Sequence, residues 1–394
     1  MKNITKVTLA LILMIAGLSS GLLLAQDAAT PRFAFVANNV YRAANSASVF
    51  QLTGGSLLGM PALETTGWGL GGTYFATKQE AVTKMGSNVC VFVADPGSDD
   101  IASFSGVTSS PVKVGNYVDA SGSGAYLGTT LVVHGSNLFS GYTASVNIGV
   151  WTINSDCSLT LASPASNAPT PAPVDDMAVT PDGSTLIASY AQTTPGIGTF
   201  AISGSTLTPV GSYNSSAGTA GIDITKDGKY AVVGEFATFT QVEVFPINPG
   251  STLGASTAYS YPQGGFNSNN VVISPDQTRV YIANNNSFEI TTLSFNESAA
   301  AGKQLQFFCL SSPLKPPPSS PLLAYISGVA TADATGKGGH LYVVEAGYNS
   351  VFAIQGSLAL MQIPADTCPS EVSGSPFALA TNSEATSVSA YPAR

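Results

Sequence analysis

Charge is scarce in this sequence, and the residues that most often carry catalysis are scarcer still. Lys, Arg, Asp and Glu together make up 9% of the 394 residues, and there are two histidines, His134 and His340. Helical surfaces are normally furnished with long charged side chains, so a mainly helical chain is excluded. Lys and Arg number 14 against 23 Asp and Glu, a formal net charge of −9. Such a surface repels phosphate backbones and removes nucleic acid from the partners to consider. It also argues against an anionic membrane surface. The four cysteines (Cys90, Cys157, Cys309 and Cys368) are too far apart for a zinc motif.

What the chain has instead is 40 Gly and 24 Pro, with Ser, Thr and Asn at most other polar positions. This is the composition of many short strands joined by turns. The first 25 residues stand apart. Lys2 and Lys6 precede an apolar or small run from Val7 to Ala25, and polarity returns at Gln26 and Asp27. The pattern reads as a secretory signal peptide cleaved after Ala25. The run is also long enough to stay uncleaved as a membrane anchor, the one route by which this chain would meet a membrane. Export places the protein in a periplasmic, secreted or cell-surface setting. In an oxidising compartment the cysteines would pair. Cys309 and Cys368 fall near outer strands of adjacent repeats and are expected to bond, whereas Cys90, inside the apolar run VCVFVAD, reads as simply buried.

Internal repetition organises residues 32–392 as one domain. From Asp176 the chain reads DMAVTPDGSTLIASY, IGTFAI, STLTPVGS, which is four short strands with a tight Asp-Gly turn between the first two. The pattern returns from Gly221 (GIDITKDGKYAVVGEF) and from Asn270 (NVVISPDQTRVYIANN). Weaker copies start at Gly128, at Gly328 and at Gly72, the last with GTYFAT as its first strand followed by an insertion through Ser87. The seventh unit is split. RFAFVANN, SASVFQL and SLLGM near the N-terminus supply strands two to four, and ATSVSAYP at the C-terminus supplies strand one. The expected fold is therefore all-β, a seven-bladed β-propeller of four-stranded antiparallel blades closed by its two termini in one shared blade.

In such a ring the second-to-third loops and the blade-to-blade connections share one face, where loops on a rigid scaffold gather around the channel mouth. The residue just after each second strand can be followed around it: Asn38, Asp95, Tyr142, Tyr190, Glu235, Asn284 and Glu345, with Arg42 nearby in the first blade. These are the candidate channel-mouth binding residues. No cofactor is demanded. If the carboxylates converge with the two Asn, the oxygen-only set suits Ca²⁺. Neither histidine belongs to the ring, since His134 stands at a first turn and His340 opens a second strand, so a Ser-His-Asp arrangement there has no base.

The repeats, above all SPDQTRVYIANN, resemble those of the YVTN-type and lactonase-like seven-bladed propellers, a family that includes 6-phosphogluconolactonases and cycloisomerases. The resemblance covers the chain after its leader and implies a lactonase-type fold with a catalytic surface at the channel mouth. Where enzymes of that family show Gly-Pro-Arg-His opening a blade, this chain has Gly218, Thr219, Ala220 and Gly221. The Asn-Glu that follows in the family is Gly234-Glu235 here. An Arg often found in the next blade is replaced by Asn284, Asn285 and Asn286. Lactone opening needs charge stabilisation and a proton shuttle, and the family's Arg and His are absent. The favoured expectation is a non-catalytic binding module for a small molecule, glycan or surface protein at the channel mouth. The alternative is a hydrolase of neutral lactones with Glu235 as general base. The sequence leaves the oligomeric state open.

Overall fold

A computed structural model describes residues 32–392 apart from 41–42, 70–77, 119–126, 143–145, 163–167, 191, 317–321, 331–338, 349–353 and 380–384. Residues 1–31, which hold the expected signal peptide, and Arg42 lie outside the described residues. Every regular element described is a strand, and the strands form seven antiparallel sheets of four or five members. The ring closes as the repeat predicts. Ala385–Tyr391 is the innermost strand of the sheet whose other strands are Arg32–Asn38, Ala44–Thr53 and Ser56–Trp68, and Val36 lies opposite Val388. Closure leaves no open sheet edge where the two ends of the chain meet.

The Asp turns that mark the repeat share one hydrogen-bonding scheme. In blades four, five and six a hydroxyl donates to the turn carboxylate: Thr180 to Asp182 at 2.6 Å, Thr225 to Asp227 at 2.8 Å and Ser274 to Asp276 at 2.7 Å. The same carboxylates accept the backbone N–H two residues on, from Ser184, Lys229 and Thr278. The residue after each Asp takes positive φ, which Gly183 and Gly228 adopt freely and Gln277 adopts at 61°.

Apolar alternation builds the core between blades rather than within them. In Arg32–Asn38, Phe33, Phe35 and Ala37 pack toward Val89, Val91 and Val93 of blade two, while Ala34 and Val36 pack toward Tyr342 and Val344 of blade seven. Successive side chains of a strand point to opposite faces, so a wholly apolar strand is buried on both. Such a cluster lies between each pair of neighbouring blades. The innermost strands enclose a central cavity of about 870 Å³, lined from Lys78 and Glu80 at one end to His134, Pro181 and Lys226 at the other.

Two expectations are corrected here. The innermost strand of blade two is Glu80–Met85, inside the segment read as an insertion, whereas GTYFAT falls outside the described residues. Cys90 is not merely buried: it is disulfide-bonded to Cys157, with Cα atoms 5.5 Å apart, and so ties blade two to blade three. The short hairpin that presents Cys157 hides its partnership in sequence, because nothing in VCVFVAD marks the neighbouring blade. The Cys309–Cys368 bond forms as expected, joining the outer strand of blade six to blade seven.

Candidate functional site

The residues aligned around the ring have their side chains turned into the protein. Asn38, Asp95, Tyr142, Tyr190, Glu235, Asn284 and Glu345 are each at most 1% exposed. Six of them sit at or beside the ends of their strands, whereas Glu345 lies within His340–Tyr348, three residues before its end. Most of their hydrogen-bond partners are side chains of neighbouring strands. Asp95 Oδ1 accepts from Asn45 Nδ2 at 2.8 Å and from Thr65 Oγ1 at 2.9 Å, which ties blade two to blade one. Asn284 Oδ1 accepts from Thr240 Oγ1 at 3.0 Å and so ties blade six to blade five. Asn38 donates to Ser46 at 2.9 Å, and Glu345 accepts from Ser357 at 2.7 Å, both within their own blades.

Glu235 is the most fully held of the set. Its Oε1 accepts from the Ala217 backbone N–H at 3.0 Å, and its Oε2 accepts from Ser216 Oγ and Gln241 Nε2, both at 2.8 Å. Its carboxyl is nonetheless pushed up to about 7, first by burial and then by Glu243 beside it. Glu243 is held in turn by the Ser216 N–H at 3.1 Å. Burial likewise pushes Glu345 up to about 8 and holds Asp95 well above the carboxylate range, with Asp100 adding repulsion to Asp95.

The two tyrosines occupy this position by a different device. Gly149 and Gly198 face them from the third strands of their blades. A Cβ there would lie 2.4 Å from the Tyr142 hydroxyl oxygen and 1.9 Å from that of Tyr190. Each ring fills the space that a missing side chain leaves.

The proposed carboxylate convergence does not occur in this geometry. Asp95, Glu235 and Glu345 belong to blades two, five and seven. Both Glu235 oxygens and one oxygen each of Asp95 and Glu345 are engaged locally, while Asp95 Oδ2 and Glu345 Oε2 are buried with no hydrogen-bond partner among the described residues. Among the described residues no group of three or more His, Cys, Asp or Glu is placed to hold a metal ion. His134 lines the far end of the central cavity and packs over Gly183, where a Cβ would lie 2.5 Å from its Nε2.

Sequence reasoning passed over two features at the loop face. Lys78, assigned to an insertion, reaches across to blades four and five. Its Nζ lies 3.0 Å from Asp176 Oδ1 and donates to the carbonyls of Met177 at 3.0 Å and Ile222 at 2.9 Å. A lone Lys just before a strand carries no periodic signal. The second feature is an exposed pair of aromatic rings, Phe239 and Phe266, with centroids 5.8 Å apart. Their sole sequence signal is a Phe in each of two polar loops that belong to adjacent blades.

No family model matches the chain, and no curated protein matches it. Solved structures do. A candidate 6-phosphogluconolactonase of Bacteroides fragilis superposes with a TM-score of 0.66 at 13% identity, covering 92% of this chain and 98% of its own. The periplasmic gluconolactonase PpgL of Pseudomonas aeruginosa gives a TM-score of 0.55 at 17% identity, over 70% of this chain and 82% of its own. A candidate 6-phosphogluconolactonase of Bacteroides uniformis gives 0.54 at 15% identity, over 71% and 84%. At these identities the likeness establishes a shared architecture: this chain has the seven-bladed propeller fold of the lactonase-like proteins.

Proposed function

We infer that this protein is an exported binding module built on the lactonase-type propeller, with its ligand taken at the loop face. The observation that carries the reading is the state of Glu235. It is the sole residue retained from the expected acid-base set, it is fully buried, and three protein groups already donate to its two oxygens. A general base must reach the proton it removes, and this carboxyl is spent on holding Ser216, Ala217 and Gln241 in place. The absence of the family's Arg and His from the matching positions supports the same reading. Export is supported by the apolar run from Val7 to Ala25 and by two disulfides, which persist in oxidising compartments.

One observation favours the second reading, a hydrolase of neutral lactones with Glu235 as base. A carboxyl at about 7 beside Glu243 is tuned to the range in which a general base works at neutral pH, and Ser216 above it is exposed. The experiment is a hydrolysis screen of residues 26–394 against neutral and phosphorylated lactones, with Glu235→Gln alongside. The binding-module reading expects no turnover by either protein. Turnover by the wild type that disappears in Glu235→Gln replaces it with the hydrolase.

A further inference from the structure

On the loop face between blades five and six, Phe239 is 38% exposed and Phe266 is 47% exposed, and their rings meet at a tilt of 37°. Phe239 belongs to the second-to-third loop of blade five, and Phe266 to the connection into blade six. Leaving two adjacent aromatic rings in water costs free energy that folding does not require.

The backbone under them is fixed. Phe266 N–H donates to Ser287 Oγ at 3.0 Å, Asn285 N–H to the Asn267 carbonyl at 2.9 Å, and Asn267 N–H to the Ala237 carbonyl at 3.2 Å. Gly264 and Gly265 allow this closeness. A Cβ at Gly265 would lie 2.4 Å from Ser287 Oγ, and one at Gly264 would lie 2.5 Å from Thr240 Oγ1. The rings therefore stand on a preorganised support, which lowers the cost of binding.

The chemistry of the rim selects the ligand. Thr238, Gln263 and Asn286 are exposed in the same loops and in the loop bonded to them, the Asn286 N–H donating to the Phe266 carbonyl at 3.3 Å. Segments 235–241, 262–268 and 284–289 contain no Lys or Arg. Amides and hydroxyls around exposed aromatic rings suit a molecule with many hydroxyls and an apolar C–H face. The partially positive C–H groups of a sugar ring pack against the negative face of an aromatic ring. Without a cation in these segments, and on a chain of net charge −9, an anionic saccharide or phosphosugar is disfavoured. Two rings also fall far short of the roughly 800 Å² per partner that a stable protein interface buries. We propose that Phe239 and Phe266 form the stacking platform of a binding site for neutral saccharides, with Thr238, Gln263 and Asn286 as its hydrogen-bonding rim. This rests on the binding-module reading and names its ligand class.

The test is native affinity electrophoresis of residues 26–394 through gels containing hydroxyethylcellulose, glucomannan, arabinoxylan, mixed-linkage β-glucan or amylopectin, with polygalacturonate as the anionic comparison. Calorimetry with the corresponding hexasaccharide follows for any polymer that retards the protein. The expected result is retardation by at least one neutral polymer. Phe239→Ala and Phe266→Ala should each weaken binding at least tenfold, while Trp68→Ala, on the rim of another blade, changes it less than twofold. Both phenylalanines are exposed, so an unchanged melting temperature accompanies the loss. Retardation by none of the neutral polymers, or by polygalacturonate alone, overturns the proposal. Neutral-glycan binding that survives both substitutions overturns the platform and leaves the binding module standing, whereas lactone turnover by the wild type removes the module reading itself.

Discussion

Lys78 Nζ lies 3.0 Å from Asp176 Oδ1, joining the entry to blade two with the first strand of blade four across the loop-face end of the channel. The Asp176 side chain is fully buried and that of Lys78 is 28% exposed. The acid also accepts the Met177 N–H at 2.7 Å and the Ile222 N–H at 2.8 Å, and Lys78 supplies its counter-charge. Burial raises the Asp176 carboxyl, and Lys78 opposes that rise. Truncating one partner of a buried pair leaves an uncompensated charge, at about 3–5 kcal/mol where burial is complete. For this partly exposed pair, Lys78→Met is expected to cost about 2–4 kcal/mol in urea unfolding. Adding Asp176→Asn should restore part of the loss. A Lys78→Met protein as stable as the wild type would show that the contact is dispensable.

The architecture was legible because it is repetitive. Asp182, Asp227 and Asp276 announce the same turn three times, and ATSVSAYP could be nothing but the strand that Arg32–Asn38 lacks. Blade two departs from the repeat, since EAVTKM carries a glutamate and a lysine and lacks the Asp-Gly turn that marks the inner strands of blades four and five. The ring from Asn38 to Glu345 was found by alignment, but alignment cannot tell which way a side chain turns. A polar residue near a strand end can face solvent or bond to neighbouring strands and loops, and here Thr65, Ser216, Thr240 and Ser357 draw these residues inward. The platform of Phe239 and Phe266 had no such alignment to reveal it, because it exists only where two loops from different blades meet.

Six buried carboxyls, Glu80, Asp95, Asp175, Asp176, Glu235 and Glu345, are all raised by burial and set the direction in which stability changes with pH. Burial pushes Glu80 and Glu345 up to about 8 and Glu235 up to about 7, from 4.5 in the unfolded chain. A raised acid binds its proton more tightly in the folded state. Its contribution is fully present below the unfolded value and is lost as pH rises through the folded one. Each such group costs up to ~1.4 kcal/mol per pH unit within its window. Asp182, held low by Thr180 and Ser184, acts the other way, but only below the ordinary carboxylate range. The melting temperature should therefore fall between pH 5 and pH 8, and Glu80→Gln should flatten the fall. A melting temperature that is constant or rising over that interval would contradict the burial of these groups.

The bond between Cys90 and Cys157 spans 67 residues and pins the second strand of blade two to the turn that opens the outer strand of blade three. Closing a loop of that length constrains the unfolded chain by about 4 kcal/mol in the entropic account, with native proteins showing 2–5 kcal/mol. Both cysteines are buried within the core between these blades. Replacing the pair with alanine should cost about 2–4 kcal/mol, and reducing agent should destabilise the wild type and leave that variant less affected. The comparison is made by denaturant unfolding in oxidised and reduced buffer. Equal melting of the two wild-type forms would mean that the bond adds nothing.

Tyr190 and Gly198 make the sharpest test of how the second-strand ends are packed. The Tyr190 ring is 1% exposed, its hydroxyl has no hydrogen-bond partner among the described residues, and burial holds the phenol proton tightly. A Cβ at Gly198 would come within 1.9 Å of that hydroxyl oxygen and 2.8 Å of the ring carbon bearing it. Gly198→Ala must therefore displace a large side chain in a close-packed interior, at about 1–3 kcal/mol or more. Tyr190→Phe alone removes an unsatisfied polar atom and should be neutral or slightly stabilising. In the double variant the closest clash is gone, so the penalty of the alanine should shrink by about 1 kcal/mol or more, a coupling that a double-mutant cycle measures directly. Simple additivity of the two changes would mean that the ring moves aside at no cost. The position would then be open enough to serve a ligand at the loop face rather than the packing between blades.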